Sequence, residues 1–138
     1  MEEGSSRWVT LNEEGKSLEL YSSLAYLNLK KYPEAIEEGN KALKLNPNSA
    51  MVYNNLGAIY ASLFKYDTAA QYYTKALVIK PKFAEPIKNL AGCYYNLKKY
   101  SDCITTLQKL DIATDKDSVY LSTLLRDAKL LEAQAAKK

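Results

Sequence analysis

Between Ala50 and Leu63 the apolar and small positions Tyr53, Leu56, Gly57, Tyr60 and Leu63 recur at steps of three and four. That is the period of one face of an α-helix. Phe64-Lys65-Tyr66-Asp67 breaks the pattern, and Ala69, Tyr72, Tyr73, Ala76 and Leu77 resume it over residues 68–79. Pro81 then stops the second helix, because it has no N–H to donate and its ring disfavours helix at Lys80. The pattern predicts two antiparallel helices joined by a short turn.

The same pattern returns when the chain is slid against itself by 34 residues. Tyr26, Tyr60 and Tyr94 fall in one column, Leu29, Leu63 and Leu97 in another, and Tyr32, Tyr66 and Tyr100 in a third. Ala35, Ala69 and Cys103 share a column of small residues. Asn55 aligns with Asn89, Leu56 with Leu90, Ala42 with Ala76 and Pro47 with Pro81. In the first unit Pro33 follows the inter-helix turn, where a first-turn proline is tolerated. The expected division is an N-terminal extension over 1–15, repeats over 16–49, 50–83 and 84–117, and a capping helix within 118–138.

The second unit resembles a tetratricopeptide repeat. The family pattern W-x2-L-G-x2-Y…A-x3-F…P is met by Tyr53 in place of Trp, Leu56, Gly57, Tyr60, Ala69, Tyr73 in place of Phe, and Pro81. Residues 84–117 match through Ile87, Leu90, Ala91, Tyr94, Cys103 and Leu107 but lack the closing proline. Residues 16–49 match through Tyr26, Tyr32, Ala35, Ala42 and Pro47, with Ser22-Ser23 where Leu-Gly is expected. The resemblance implies an all-α, right-handed solenoid of three antiparallel helix pairs closed by a C-terminal helix. One unit alone cannot bury its apolar stripe, so stacking has to supply the core. Small residues at Gly57, Ala69 and Ala76 let the helices approach, and the column tyrosines fill the gaps between them.

The two ends differ. Val119, Leu121, Leu124, Leu125 and Ala128 trace one apolar face of a capping helix, with Asp117 or Ser118 as its N-cap. Near the N-terminus, Leu18, Leu20, Tyr21, Leu24, Ala25, Tyr26, Leu27 and Leu29 go round the whole helix, which predicts a helix covered on all sides. Either Trp8, Val9 and Leu11 fold back over it, or a second protein does.

Composition narrows the chemistry. The 138 residues are 47% hydrophobic and 25% charged, which excludes a disordered chain. No apolar run reaches the length of a membrane span, and the acidic, polar N-terminus lacks a secretory signal, so a cytoplasmic protein without membrane insertion is expected. Histidine is absent, which removes the commonest general base and metal ligand. The two cysteines make neither a disulfide framework nor a thiolate zinc site. The isolated glycines offer no phosphate loop, and no cofactor is expected. The net charge of +3 combines an acidic first half with a basic second half in which lysines alternate with Asp111, Asp115, Asp117, Asp127 and Glu132. That is a set of solvated faces and no nucleic-acid stripe.

In this architecture the first helix of each pair lines the concave face. The candidate groove is Leu20, Tyr21 and Leu24 from the first unit, Asn54, Asn55 and Ala58 from the second, and Lys88, Asn89 and Tyr95 from the third. An asparagine amide carries both donor and acceptor, so it grips a peptide backbone without reading its sequence. Asn55 and Asn89 resemble the asparagine ladder of O-linked N-acetylglucosamine transferase repeats. The carboxylate clamp that such repeats use on heat-shock chaperone tails is not expected, since Leu20, Leu24, Glu85 and Asn89 stand at its other positions. The expected function is a non-catalytic interaction module, of scaffold or co-chaperone type, binding a protein or peptide. A self-assembling protein that uses its apolar first helix, making a homo-oligomer, and a targeting piece of a larger enzyme are the alternatives.

Overall fold

A computed structural model describes residues 31–137 of the chain. Among them are six α-helices, one 3-10 turn and no strand. They are α1 (Tyr32–Leu45), α2 (Ala50–Ser62), α3 (Tyr66–Ile79), α4 (Ala84–Asn96), α5 (Tyr100–Leu107) and α6 (Ser118–Ala136), with the 3-10 turn Ile112–Thr114 before α6. The apolar first helix and the N-terminal extension lie outside the described residues.

The helix ends follow local chemistry. Pro33 occupies the first turn of α1, where its missing N–H costs nothing. Ser49 caps α2 by accepting from the Val52 N–H at 3.3 Å. The turns α2–α3 and α4–α5 share one construction. The Lys65 N–H reaches the Tyr60 carbonyl at 2.9 Å and the Phe64 N–H reaches that of Ala61 at 2.9 Å. In the next unit Lys99 bonds Tyr94 at 2.8 Å and Lys98 bonds Tyr95 at 3.0 Å. This doubly bonded helix end requires one residue in the left-handed region, normally glycine. Here Phe64 and Lys98 take it, at φ 61° and 62°.

Each helix packs on the next along the chain, and α4 also touches α2 on one side and α6 on the other. Comparable contacts do not join α1 to α3 or α3 to α5. The layer of α2, α4 and α6 is therefore the tighter one, and the stack curves around it as an α-solenoid. Buried clusters sit where successive units meet. One holds Ala35 and Ala42 of α1 with Val52, Leu56 and Ile59 of α2. A second joins Ala69, Tyr73 and Leu77 of α3 to Ile87 and Leu90 of α4. The third joins Cys103 and Leu107 of α5 to Leu121, Leu124 and Ala128 of α6.

Inside the second unit the close approach falls at Gly57. A Cβ there would lie 2.6 Å from Cε1 of the Tyr73 ring, so the ring lies against the bare backbone of α2. One repeat later the same two columns hold Ala91 and Leu107, both fully buried. A larger residue on the first helix is matched by a smaller one on the second. In α6, Leu124 continues the column of Leu56 and Leu90, while Leu125 takes the place of Gly57 and Ala91. With no seventh helix described against it, that position accommodates a large side chain.

The third unit departs from its predecessor. α5 has 8 residues where α3 has 14. After Leu107 the chain turns, and Leu110 and Ile112 pack back onto the cluster beneath α6. This early turn makes the Asp111–Asp117 segment cross toward α4.

Candidate functional site

The concave layer presents one face of α4, on which Glu85, Lys88, Asn89, Gly92 and Asn96 follow at steps of three and four. Beside it stands Asn54 of α2: the Asn89 amide donates to Asn54 Oδ1 at 3.3 Å. A hollow of about 270 Å³ opens here, lined among others by Ala61, Asn89, Gly92, Asn96, Asp117 and Tyr120. Gly92 forms part of its floor. A Cβ at that position would meet the Tyr120 hydroxyl at 3.8 Å, so the first turn of α6 leans over α4 at a point where α4 has no side chain. The Asn96 side chain donates to the Gly92 carbonyl at 2.8 Å.

The charged end of this hollow is organised around Lys88. Its side chain is only 8% exposed, and Nζ donates to Asp115 Oδ1 and to Asp117 Oδ2, each at 2.9 Å, with Glu85 Oε2 at 3.8 Å. Burial alone would depress this lysine, but the hydrogen bonds to Asp117 and Asp115 and the charges behind them raise it to about 12. Asp115 in turn accepts the Asp117 backbone N–H at 2.8 Å. That bond, followed by the one from Lys88, holds its carboxyl below the ordinary value. Lys88 therefore joins α4 to the segment preceding α6 as a permanently charged, internally neutralised group.

The expected groove residues separate into three sets. Asn54, Ala58 and Asn89 are partly exposed. Lys88 and Asn55 are buried, and the Asn55 Nδ2 has no hydrogen-bond partner. The contact differs from the ladder read from the repeat period by one residue: Asn89 meets Asn54, while Asn55 is buried with its Nδ2 unpaired. Successive units are rotated relative to each other, so equivalent positions are not nearest neighbours. Tyr95 is half-buried. It shares a face with the fully buried Ala91 and packs edge-on against Tyr100 at 5.7 Å, on the α5 side. Leu20, Tyr21 and Leu24 lie outside the described residues.

Two groups in the hollow were not expected there. Of Asp117 and Ser118, Asp117 stands at the N-cap position of α6, but its side chain makes no cap bond and its carboxylate accepts from Lys88 instead. Tyr120, in the first turn of α6, lines the same hollow. Neither carries a periodic signal: Asp117 ends the aperiodic segment before α6, and Tyr120 falls in no repeated column.

Away from this face, Asp67, Gln71, Thr74, Lys75, Tyr94 and Lys99 line a wider hollow of about 820 Å³ beside α3. Its Lys75 is already engaged, lying 5.4 Å from the Tyr72 ring centroid and 5.9 Å from that of Tyr53. Tyr60 stacks on Tyr72 at 5.3 Å, so these tyrosines are packing. Cys93 and Cys103 are buried, and burial pushes both thiols up to about 11. Among the described residues no group of three metal-binding side chains occurs, and no helix is long and apolar enough to cross a membrane.

Comparison with known proteins agrees with this architecture. The family model described as Tetratricopeptide repeat matches residues 50–83, and one described as TPR repeat matches 24–63. The TPR2B domain of yeast Sti1, solved as a pHsp70 complex, is similar with a TM-score of 0.76 at 19% identity, over 83% of this chain and 96% of that one. The first TPR of Spaghetti (RPAP3), bound to the HSP90 peptide SRMEEVD, is similar with a TM-score of 0.78 at 16% identity, over 86% of this chain and 93% of that one. Yeast Tom70 is similar with a TM-score of 0.78 at 25% identity over 89% of this chain, which spans 26% of that one. No curated protein matches in sequence.

Proposed function

The chain belongs to the tetratricopeptide repeat family, and we propose that it is a peptide-binding interaction module whose ligand lies along the concave face of α2, α4 and α6. The observation that carries this reading is the hollow itself. Its floor at Gly92 has no side chain, and the amides of Asn54, Asn89 and Asn96 stand beside it. Amides that satisfy both donors and acceptors suit a peptide backbone, and a bare floor leaves room for it. Asn55 adds a buried, unpaired donor one residue away. The similar Sti1 and RPAP3 domains, solved with chaperone-derived ligands, support a peptide as the class of partner. The residues proposed to act are Asn54, Asn55, Ala58, Asn89, Gly92, Asn96 and Tyr120, joined in the full groove by Leu20, Tyr21 and Leu24.

The test is selection of peptides from a random display library against the whole chain, followed by titration of the selected peptides. Gly92→Leu fills the floor, and Asn54→Ala with Asn89→Ala removes the amides. Each is expected to weaken binding roughly five- to tenfold, the worth of one or two hydrogen bonds, with the circular-dichroism spectrum unchanged. Undiminished binding by both variants sinks the groove reading.

A further inference from the structure

We propose that the α6 end of this groove selects a peptide segment bearing a lysine or arginine side chain and rejects one that offers a carboxylate. The proposal rests on the peptide-binding reading above and names its ligand's charge.

Among the described residues the one cation lining the hollow is Lys88, and it is already held by two carboxylates of the chain itself at 2.9 Å. A ligand carboxylate that reached its third N–H would have to sit against the carboxylates of Asp115, Asp117 and Glu85. Asp115 is further fixed by the Asp117 N–H. What the site turns outward is the opposite charge. Asp117 is 46% and Glu85 51% exposed, and both line the hollow. Lys116 approaches Glu85 at 3.9 Å from a side chain that is 77% exposed, so it is free to swing aside. Even with Lys116 counted, two cations face three carboxylates among the described residues, a surplus of one negative charge at the mouth. Tyr120 lines the same hollow with its hydroxyl over Gly92 and adds no charge of its own. The neighbouring amides of Asn89 and Asn96 are neutral and leave this preference undisturbed. The arrangement is the reverse of what the acidic peptide SRMEEVD, bound to the similar RPAP3 domain, would require.

The test uses the full chain and four fluorescent pools of capped eight-residue peptides. Their central position is Lys, Arg, norleucine or Glu, and the other positions are mixtures of Ala, Ser, Gly, Leu and Tyr. A fifth pool repeats the norleucine set with a free C-terminal carboxylate. In fluorescence anisotropy at low salt, the Lys and Arg pools are expected to bind about fivefold tighter than norleucine, the upper range for one partly exposed ion pair. The Glu pool should bind more weakly, and the free carboxylate should add nothing. Added salt should shrink the Lys advantage. Asp117→Asn and Glu85→Gln should each reduce it while leaving norleucine binding in place. Glu85→Gln is the safer variant, since the Glu85 side chain is exposed and its ion pairs are long. Equal binding of Lys and norleucine, tighter binding of either carboxylate-bearing pool, or an advantage indifferent to both variants overturns the charge selectivity and leaves the groove standing. No binding by any pool overturns both.

Discussion

Replacing Gly57 by alanine adds a single methyl group to a helix interior, where alanine is normally favoured by about 1 kcal/mol. The structure reverses that expectation. The new Cβ would lie 2.6, 2.7 and 3.0 Å from three atoms of the Tyr73 ring, against an ordinary carbon–carbon contact of roughly 3.5–4.0 Å. The ring is 2% exposed and backed by Ile87, Leu90 and Cys93, so it cannot swing into solvent. Overpacking of this kind costs about 1–3 kcal/mol. With three ring atoms overlapped the cost falls in the upper half of that range, and the net destabilisation after the propensity gain is about 1–2 kcal/mol. For a chain of this size that lowers the melting temperature by roughly 4–8 °C, followed by circular dichroism. The third unit supplies the control, because it already combines Ala91 with Leu107. Gly57→Ala with Tyr73→Leu recreates that pair. The double variant should therefore be more stable than the sum of the single changes by about 1 kcal/mol or more. A Gly57→Ala protein as stable as the parent, or strictly additive single effects, would refute the claim that these two columns set the helix spacing.

The left-handed turn positions predict gains in stability. Lys98→Gly removes the strain at φ 62° and should raise the urea midpoint by the equivalent of about 0.5–1 kcal/mol, while Phe64→Gly should gain less because it gives up the edge contact with Tyr66. Equal gains from both would show that the ring contact contributes nothing. The Lys88 cluster predicts a pH dependence. Asp115, held below the ordinary carboxylate value, contributes stability that is present above that value and is lost as the pH falls through its depressed one. Lys88 contributes below 10.5 and loses its contribution as the pH rises through about 12. Lys88→Met should lower the urea midpoint at neutral pH, and the gap from the parent should narrow in acid; a constant gap counts against the ion cluster. With their thiols near 11, Cys93 and Cys103 should react with iodoacetamide at least about a hundredfold more slowly than a free cysteine peptide until the chain unfolds, measured by mass spectrometry.

Over the described residues the helical class and the α2–α3 turn with its flanking helices were legible in the amino-acid sequence. They are local or periodic properties: apolar steps of three and four, Pro33 and Pro81 at helix boundaries, and tyrosine and small-residue columns returning at one fixed interval. The Gly57 column announced close approach, and the structure supplies the ring that occupies it. The groove was legible only as a face. Which residues open onto it depends on how one unit is rotated against the next, and that rotation places Asn89 beside Asn54 while Asn55 is buried. The charge of the groove was not legible at all. It comes from Lys88 meeting Asp115 and Asp117 across an aperiodic segment, brought together because α5 ends early and the chain folds back to bury Leu110 and Ile112. Periodicity encodes nearest-neighbour packing, whereas the pairing of charges far apart in the chain is set by the path of the chain in space.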